Sequence, residues 1–197
     1  MIVTVKDFTG EMKAAPINKN EVTRYCSGRS DSNFSKIIDE CIAEATPFLS
    51  YKLCFAEFGV SVSDESVSFP FARAKSRDLA KNLAGFESCV IFCATVGVGI
   101  DRLITKYTTV SPVKSLVFQG IGAERIEALC DAFCKETEGN YKQIKPRFSP
   151  GYGDLDLSFQ HEIFKVLQCS KKIGVTLNES LLMSPTKSVT AIIGVKK

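Results

Sequence analysis

The chain has 197 residues, 45% of them apolar and 24% charged, with a formal net charge of +3. This is the composition of a folded globular chain, and it excludes a disordered or low-complexity one. Lys and Arg are interleaved with Asp and Glu, so the basic stripe of a nucleic-acid binder is missing, and no apolar run reaches the roughly 20 residues that span a bilayer. The length suits one domain over 1–197, with an N-terminal helical and hairpin part (1–85) ahead of a core (86–197).

In chain order, Ile2-Val3-Thr4-Val5 predicts an opening strand and Asn20–Tyr25 a short helix. From Asn33 to about Phe48, apolar residues at Phe34, Ile37, Ile38, Cys41, Ile42 and Ala45 follow helical spacing with one buried face. Tyr51–Val62 reads as one strand that turns at Asp64-Glu65 and returns over Ser66–Phe69 as a β-hairpin. Ser76–Asn82 is a helix ended by Gly85. Cys89–Val96 is a near-continuous apolar run, expected for a central strand buried on both faces.

After Gly97-Val98-Gly99, helical spacing resumes over Ile100–Thr108 and again, at greater length, from Pro112 to about Glu138. The long helix carries Val113, Leu116, Val117, Ile121, Leu129, Cys130 and Phe133 as its apolar positions. Gly120 and Gly122 inside it each cost about 1 kcal/mol against Ala, which points to close packing there. A loop rich in Pro and Gly, Lys145–Asp154, precedes a helix to about Gln168, a short strand over Val175–Leu177 and an alternating strand over Ser188–Val195. Helices and strands mix without strict βαβ alternation, so the expected class is α+β with a mostly antiparallel sheet.

Eight cysteines occur, at 26, 41, 54, 89, 93, 130, 134 and 169, and none forms a CxxC pair. Cys130 and Cys134 lie one helical turn apart, but no further Cys or His stands at a ligand spacing. Buried free thiols are expected rather than a metal or iron–sulfur site. The opening MIVTVKDFTG lacks the basic flank and apolar core of a secretory signal, so a reduced, cytoplasmic setting is expected.

Three features bear on chemistry. Gly97-Val98-Gly99 sits where a phosphate-binding turn would sit, but the third glycine of GxGxxG and the distal acidic residue are missing, which favours a tight strand-to-helix turn. His161, the one histidine, lies at a polar helical position beside Glu162 and is expected to face solvent. The loop Arg147–Asp154 is the most informative: one proline and two glycines, with Pro146 just ahead of them, fix an irregular backbone that can present amides and carbonyls to a ligand. In it Arg147 offers a planar fork for a carboxylate and Tyr152 a ring face for a cation such as a sulfonium. A structural loop with a surface arginine is the competing reading.

Arg147-Phe148-Ser149-Pro150-Gly151-Tyr152 resembles the R-x-x-P-G-Y signature of the activation domain of vitamin B12-dependent methionine synthase. The resemblance continues, in order, through Gly174, Leu177, Glu179-Ser180, Met183, Pro185 and Ser188-Val189. Residues 1–85 are similar only in general pattern. Where the family follows its signature with Cys-Pro, this sequence has Gly153-Asp154.

The resemblance implies a C-shaped α+β domain with a twisted, mostly antiparallel sheet and flanking helices. It implies a stand-alone reactivation module that binds S-adenosylmethionine and supports reductive methylation of cob(II)alamin in trans. The cobalamin would be carried by a methionine synthase module or another corrinoid protein, with flavodoxin or a similar donor supplying the electron. Carried over by position, Arg147 binds the ligand's carboxylate, and the backbone of Ser149 and Gly151, flanking Pro150, approaches the ligand. Tyr152 lines the wall facing the corrin, and Glu179 and Ser180 support the loop and the strand beside it. No catalytic acid, base or metal ligand is implied, because such a module works by proximity and orientation. Two alternatives stay open: a docking module for a corrinoid protein that does not use S-adenosylmethionine, and an unrelated enzyme built on the Gly97–Gly99 turn.

Overall fold

The computed structural model of the protein describes residues 2–26 and 31–197. Strand β1 (Thr4–Asp7) leads into helices α1 (Thr9–Ala14), α2 (Lys19–Tyr25) and α3 (Ser32–Ala45), the last running into a 3-10 turn over Thr46–Phe48. Strands β2 (Lys52–Gly59), β3 (Ser61–Ser63), β4 (Ser66–Ser68) and β5 (Arg73–Lys75) precede helix α4 (Arg77–Asn82) and strand β6 (Ser88–Thr95). Helices α5 (Gly99–Val110) and α6 (Pro112–Asn140) come next, then β7 (Gln143–Ile144) and the Pro-Gly loop. The chain ends with α7 (Gln160–Leu167), α8 (Cys169–Ile173), the hairpin β8 (Thr176–Leu177) and β9 (Met183–Ser184), and β10 (Ser188–Lys196).

Helix starts follow local chemistry. Asn18 accepts from the amides of Asn20 and Glu21, Asp31 from Phe34, and Ser76 from Leu79, each covering amides that have no partner inside the helix. Each such cap contributes about 1 kcal/mol.

One antiparallel sheet, ordered β1-β2-β6-β10-β7, divides the molecule into two cores. Side chains alternate across a strand, so Phe92 and Ala94 of β6 enter the core beneath α3, α5 and α6, while Ile91 and Cys93 enter the core beneath α4, α7 and α8. This two-sided burial explains the near-continuous apolar run of β6, and the mixed helix and antiparallel-sheet architecture agrees with the expected class. The first core holds Phe118, Ile121, Leu129 and Phe133 of α6; the second holds Leu79, Ile163, Leu167 and Phe148. No helix among the described residues is long and apolar enough to cross a membrane.

The structure corrects several local expectations. Tyr51–Val62 is two strands in two sheets. The backbone leaves β2 at Gly59, Val60 N–H donates to the Glu87 carbonyl at 2.8 Å, and the chain then pairs as β3 with β4 in a separate three-stranded sheet. The opening strand begins at Thr4, and the helix after the Pro-Gly loop is confined to Gln160–Leu167, after a 3-10 turn. Val113 and Leu116 are exposed, on the first turns of α6 ahead of the buried Val117 and Phe118. Gly120 does meet backbone: a Cβ there would stand 3.1 Å from the Val22 carbonyl of α2. Gly122 instead accommodates the side chain of Lys187.

Candidate functional site

The Pro-Gly loop continues the edge of the main sheet. Lys145 N–H donates to the Gly194 carbonyl, and Phe148 and Ile192 exchange two backbone hydrogen bonds of 2.8 Å, so the loop begins as an extension of β7 along β10. Extended backbone sends successive side chains to opposite faces. Phe148 therefore enters the second core, and Arg147 turns the other way, onto α6.

There the guanidinium meets two carboxylates one helical turn apart. Nη2 of Arg147 donates to Glu127, while Nη1 lies 3.3 Å from Asp131 Oδ1 without the alignment of a hydrogen bond. Nη1 is buried and keeps an unspent donor. The trio carries two negative charges against one positive, which locally favours a cation. On the side of α2, Glu127 and Asp131 also line a groove of about 380 Å³ with Asn18, Glu21, Arg24 and Tyr25; neither Arg147 nor the Pro-Gly loop is among its lining residues. Small-molecule sites fall at about 300–1,000 Å³. Cys130 and Cys134 share this helix face. Burial raises both thiols, despite the nearby Arg147 charge, which leaves them weak nucleophiles.

The rest of the loop is a tight turn. Gly151 N–H donates to the Leu155 carbonyl, Tyr152 N–H to Ser149, and Leu155 N–H back to Tyr152. Pro150 is buried beneath it. Gly151 has φ +85, and a Cβ there would stand 3.1 Å from Leu157 Cδ1. Tyr152 stands edge-on to Phe148, ring centroids 5.6 Å apart, and is 70% exposed, so its phenol face is open at the surface. Asp154, at the far end, accepts hydrogen bonds from the N-terminus of α4.

The structure thus puts Ser149, Pro150, Gly151 and Tyr152 in one turn, while Arg147, in the extended segment before it, faces α6 on the side opposite Phe148, the residue against which Tyr152 packs. Glu179 and Ser180 are exposed at the tip of the β8–β9 hairpin, where Asn178 accepts from the Leu182 amide. Among the described residues no hydrogen bond or ion pair joins them to the loop. Sequence reasoning missed Glu127 and Asp131; their i,i+4 spacing on a long helix was a signal, but only the fold shows that it faces Arg147.

The other candidates resolve plainly. His161 is exposed on α7. All eight cysteines are free, seven of them buried. A Cβ on Gly97 would collide with Ser50 Oγ, and one on Gly99 with the Phe48 carbonyl, so close packing against residues 48–50 accounts for both glycines of this strand-to-helix turn.

Comparison with known proteins bears on the same region. Residues 131–197 match the family model described as vitamin B12 dependent methionine synthase, activation domain; the loop and both of its neighbouring strands lie inside the match. The expected resemblance is therefore borne out over these C-terminal residues. Over 99% of this chain and 78% of the other, the fold superposes with a TM-score of 0.69 on a crystal structure of the MetH reactivation domain bound to AdoHcy. At 12% identity that likeness establishes the shared fold. No curated protein sequence matches the chain.

Proposed function

We propose, with the family match as premise, that this protein binds S-adenosylmethionine against the Arg147–Tyr152 loop and presents its methyl group to a cobalamin held by a partner module. The observation that carries the reading is the buried Nη1 of Arg147, a donor left unspent beside the carboxylates of Glu127 and Asp131. An amino-acid ligand is a zwitterion. Its carboxylate takes the guanidinium fork, and its ammonium and sulfonium are stabilised by the negative surplus of Glu127 and Asp131.

The backbone of Ser149 and Gly151 lies along the ligand, with Pro150 holding the turn. Tyr152, exposed and braced by Phe148, forms the wall toward the partner. The chemistry implied is reductive methylation: flavodoxin or a similar donor would supply one electron to an oxidised partner cobalamin, and the sulfonium would give up its methyl group to it, leaving S-adenosylhomocysteine. The chain's part is to orient and hold, which needs no acid or base.

A second reading is a docking module that makes no use of S-adenosylmethionine, favoured by the pairing of Arg147 Nη2 with Glu127. Calorimetric titration with S-adenosylmethionine separates the two. It is done alone and with a cob(II)alamin-loaded methionine synthase lacking its own activation domain. Binding in either setting supports the reactivation reading; no binding in both leaves the docking module.

A further inference from the structure

The loop is tied down at its start by backbone pairing with β10, which any residue can make. Its far end is held differently. Helix α4 is short, and its own cap, Ser76, covers only the Leu79 amide, leaving the first amides of the helix open. Asp154 takes them from across the fold: Oδ2 accepts from Arg77 N–H at 2.8 Å and Oδ1 from Asp78 N–H at 3.2 Å, while the Ser76 hydroxyl donates to Oδ1. Ser76 thus donates to Asp154 and accepts from Leu79, so cap and loop form one hydrogen-bonded network. A carboxylate is the favoured charge at a helix N-terminus.

Gly153 makes the approach possible. Its φ is +55, and Asp78 Oδ2 occupies the place a Cβ would take. Among the described residues, Asp154 is the one side chain between Ser149 and Leu155 that hydrogen-bonds to another element. It sits inside the turn closed by the Gly151–Leu155 hydrogen bond.

We infer that Asp154 is a positioning residue for the ligand loop: by capping α4 it holds the Gly151–Leu155 turn, and with it the backbone that Arg147 and Tyr152 share, in binding geometry. This deepens the S-adenosylmethionine reading and rests on it for the ligand, though not for the latch.

The test uses the full chain as wild type, Asp154→Ala and Asp154→Asn, with amide hydrogen exchange and calorimetric titration by S-adenosylmethionine. In Asp154→Ala, exchange at Gly151 and Arg77 is expected to rise about tenfold and affinity to fall about tenfold, the scale of one lost helix cap. Protection in β6 stays unchanged. Asp154→Asn, which keeps one acceptor oxygen but replaces the other with a donor and removes the charge, restores part of both, a rescue that a loss of general stability would not give. Unchanged Gly151 exchange in Asp154→Ala overturns the latch. Faster exchange with unchanged affinity overturns the positioning role. A wild-type protein that binds no S-adenosylmethionine overturns the functional reading alone, and the exchange data still decide the latch. If Asp154→Ala does not fold, Asp154→Asn against wild type gives the same comparison at reduced amplitude.

Discussion

Two glycine-bearing turns flank strands of the same sheet, and they use glycine to opposite effect. At Gly97–Gly99, between β6 and α5, the missing Cβ atoms make room for the protein's own residues 48–50. At Gly151, next to β10, the backbone is bent into a positive φ at an exposed position, with only the flexible end of Leu157 nearby. The first turn is a packing solution; the second presents backbone and a phenol ring at the surface. A glycine motif therefore acquires meaning from what fills the space of the absent side chain.

The comparison can be broken by substitution. The largest effect is expected at Gly99→Ala, where the new methyl meets the Phe48 carbonyl, which cannot swing aside as a side chain can. Overpacking of this kind costs about 3 kcal/mol, read as a lowered midpoint in urea unfolding; a variant as stable as wild type would show that residues 48–50 do not fill the turn. Next is Arg147→Ala, expected to weaken S-adenosylmethionine by about 1.5–3 kcal/mol, the scale of a charge-assisted hydrogen bond. The fold should survive, since Glu127 and Asp131 are solvated enough to stand alone. Calorimetry giving wild-type affinity would remove Arg147 from the site.

Gly151→Ala is smaller, about 1–2 kcal/mol of stability for placing a Cβ at positive φ, seen by thermal melting. Here the expected signature is a larger loss of ligand affinity than of stability, the reverse of Gly99→Ala. Least in size is a pH effect at Asp154. The Ser76 hydroxyl, with the amides of Arg77 and Asp78, holds its carboxyl below the ordinary value of 3.8. A depressed carboxyl contributes stability that is present above its unfolded value and lost as pH falls through its folded one. Wild type and Asp154→Ala should therefore differ by a constant amount above pH 3.8 and converge as pH falls below it through the depressed folded value, with Asp78, Arg77, Glu65 and Lys75 as the other charges facing the site.

Much of this was legible in the residues. The spacing of Phe34, Ile38, Cys41 and Ala45 reads as α3, and the apolar run of β6 reads as the centre of a sheet. The ordered motifs from Arg147 to Ser188-Val189 place the chain's last third beside a known family. These are short-range signals, set by the 3.6- and 2-residue periods and by the conformations that Pro and Gly permit. The break of Tyr51–Val62 into β2 and β3 was not legible. Nothing in that run marks Val60, whose amide is claimed by Glu87 from a distant segment.

The candidate site divides the same way. Its loop, with Arg147, Gly151 and Tyr152, was determined by the sequence alone, because chain-local stereochemistry dictates such a turn. What Arg147 faces and what holds the loop were decided only by tertiary structure. Glu127 and Asp131 lie 20 and 16 residues before it on a helix, and Ser76 lies 78 residues from Asp154. Charges find partners by distance in space, and distance in space is settled when the two cores close on the sheet between them.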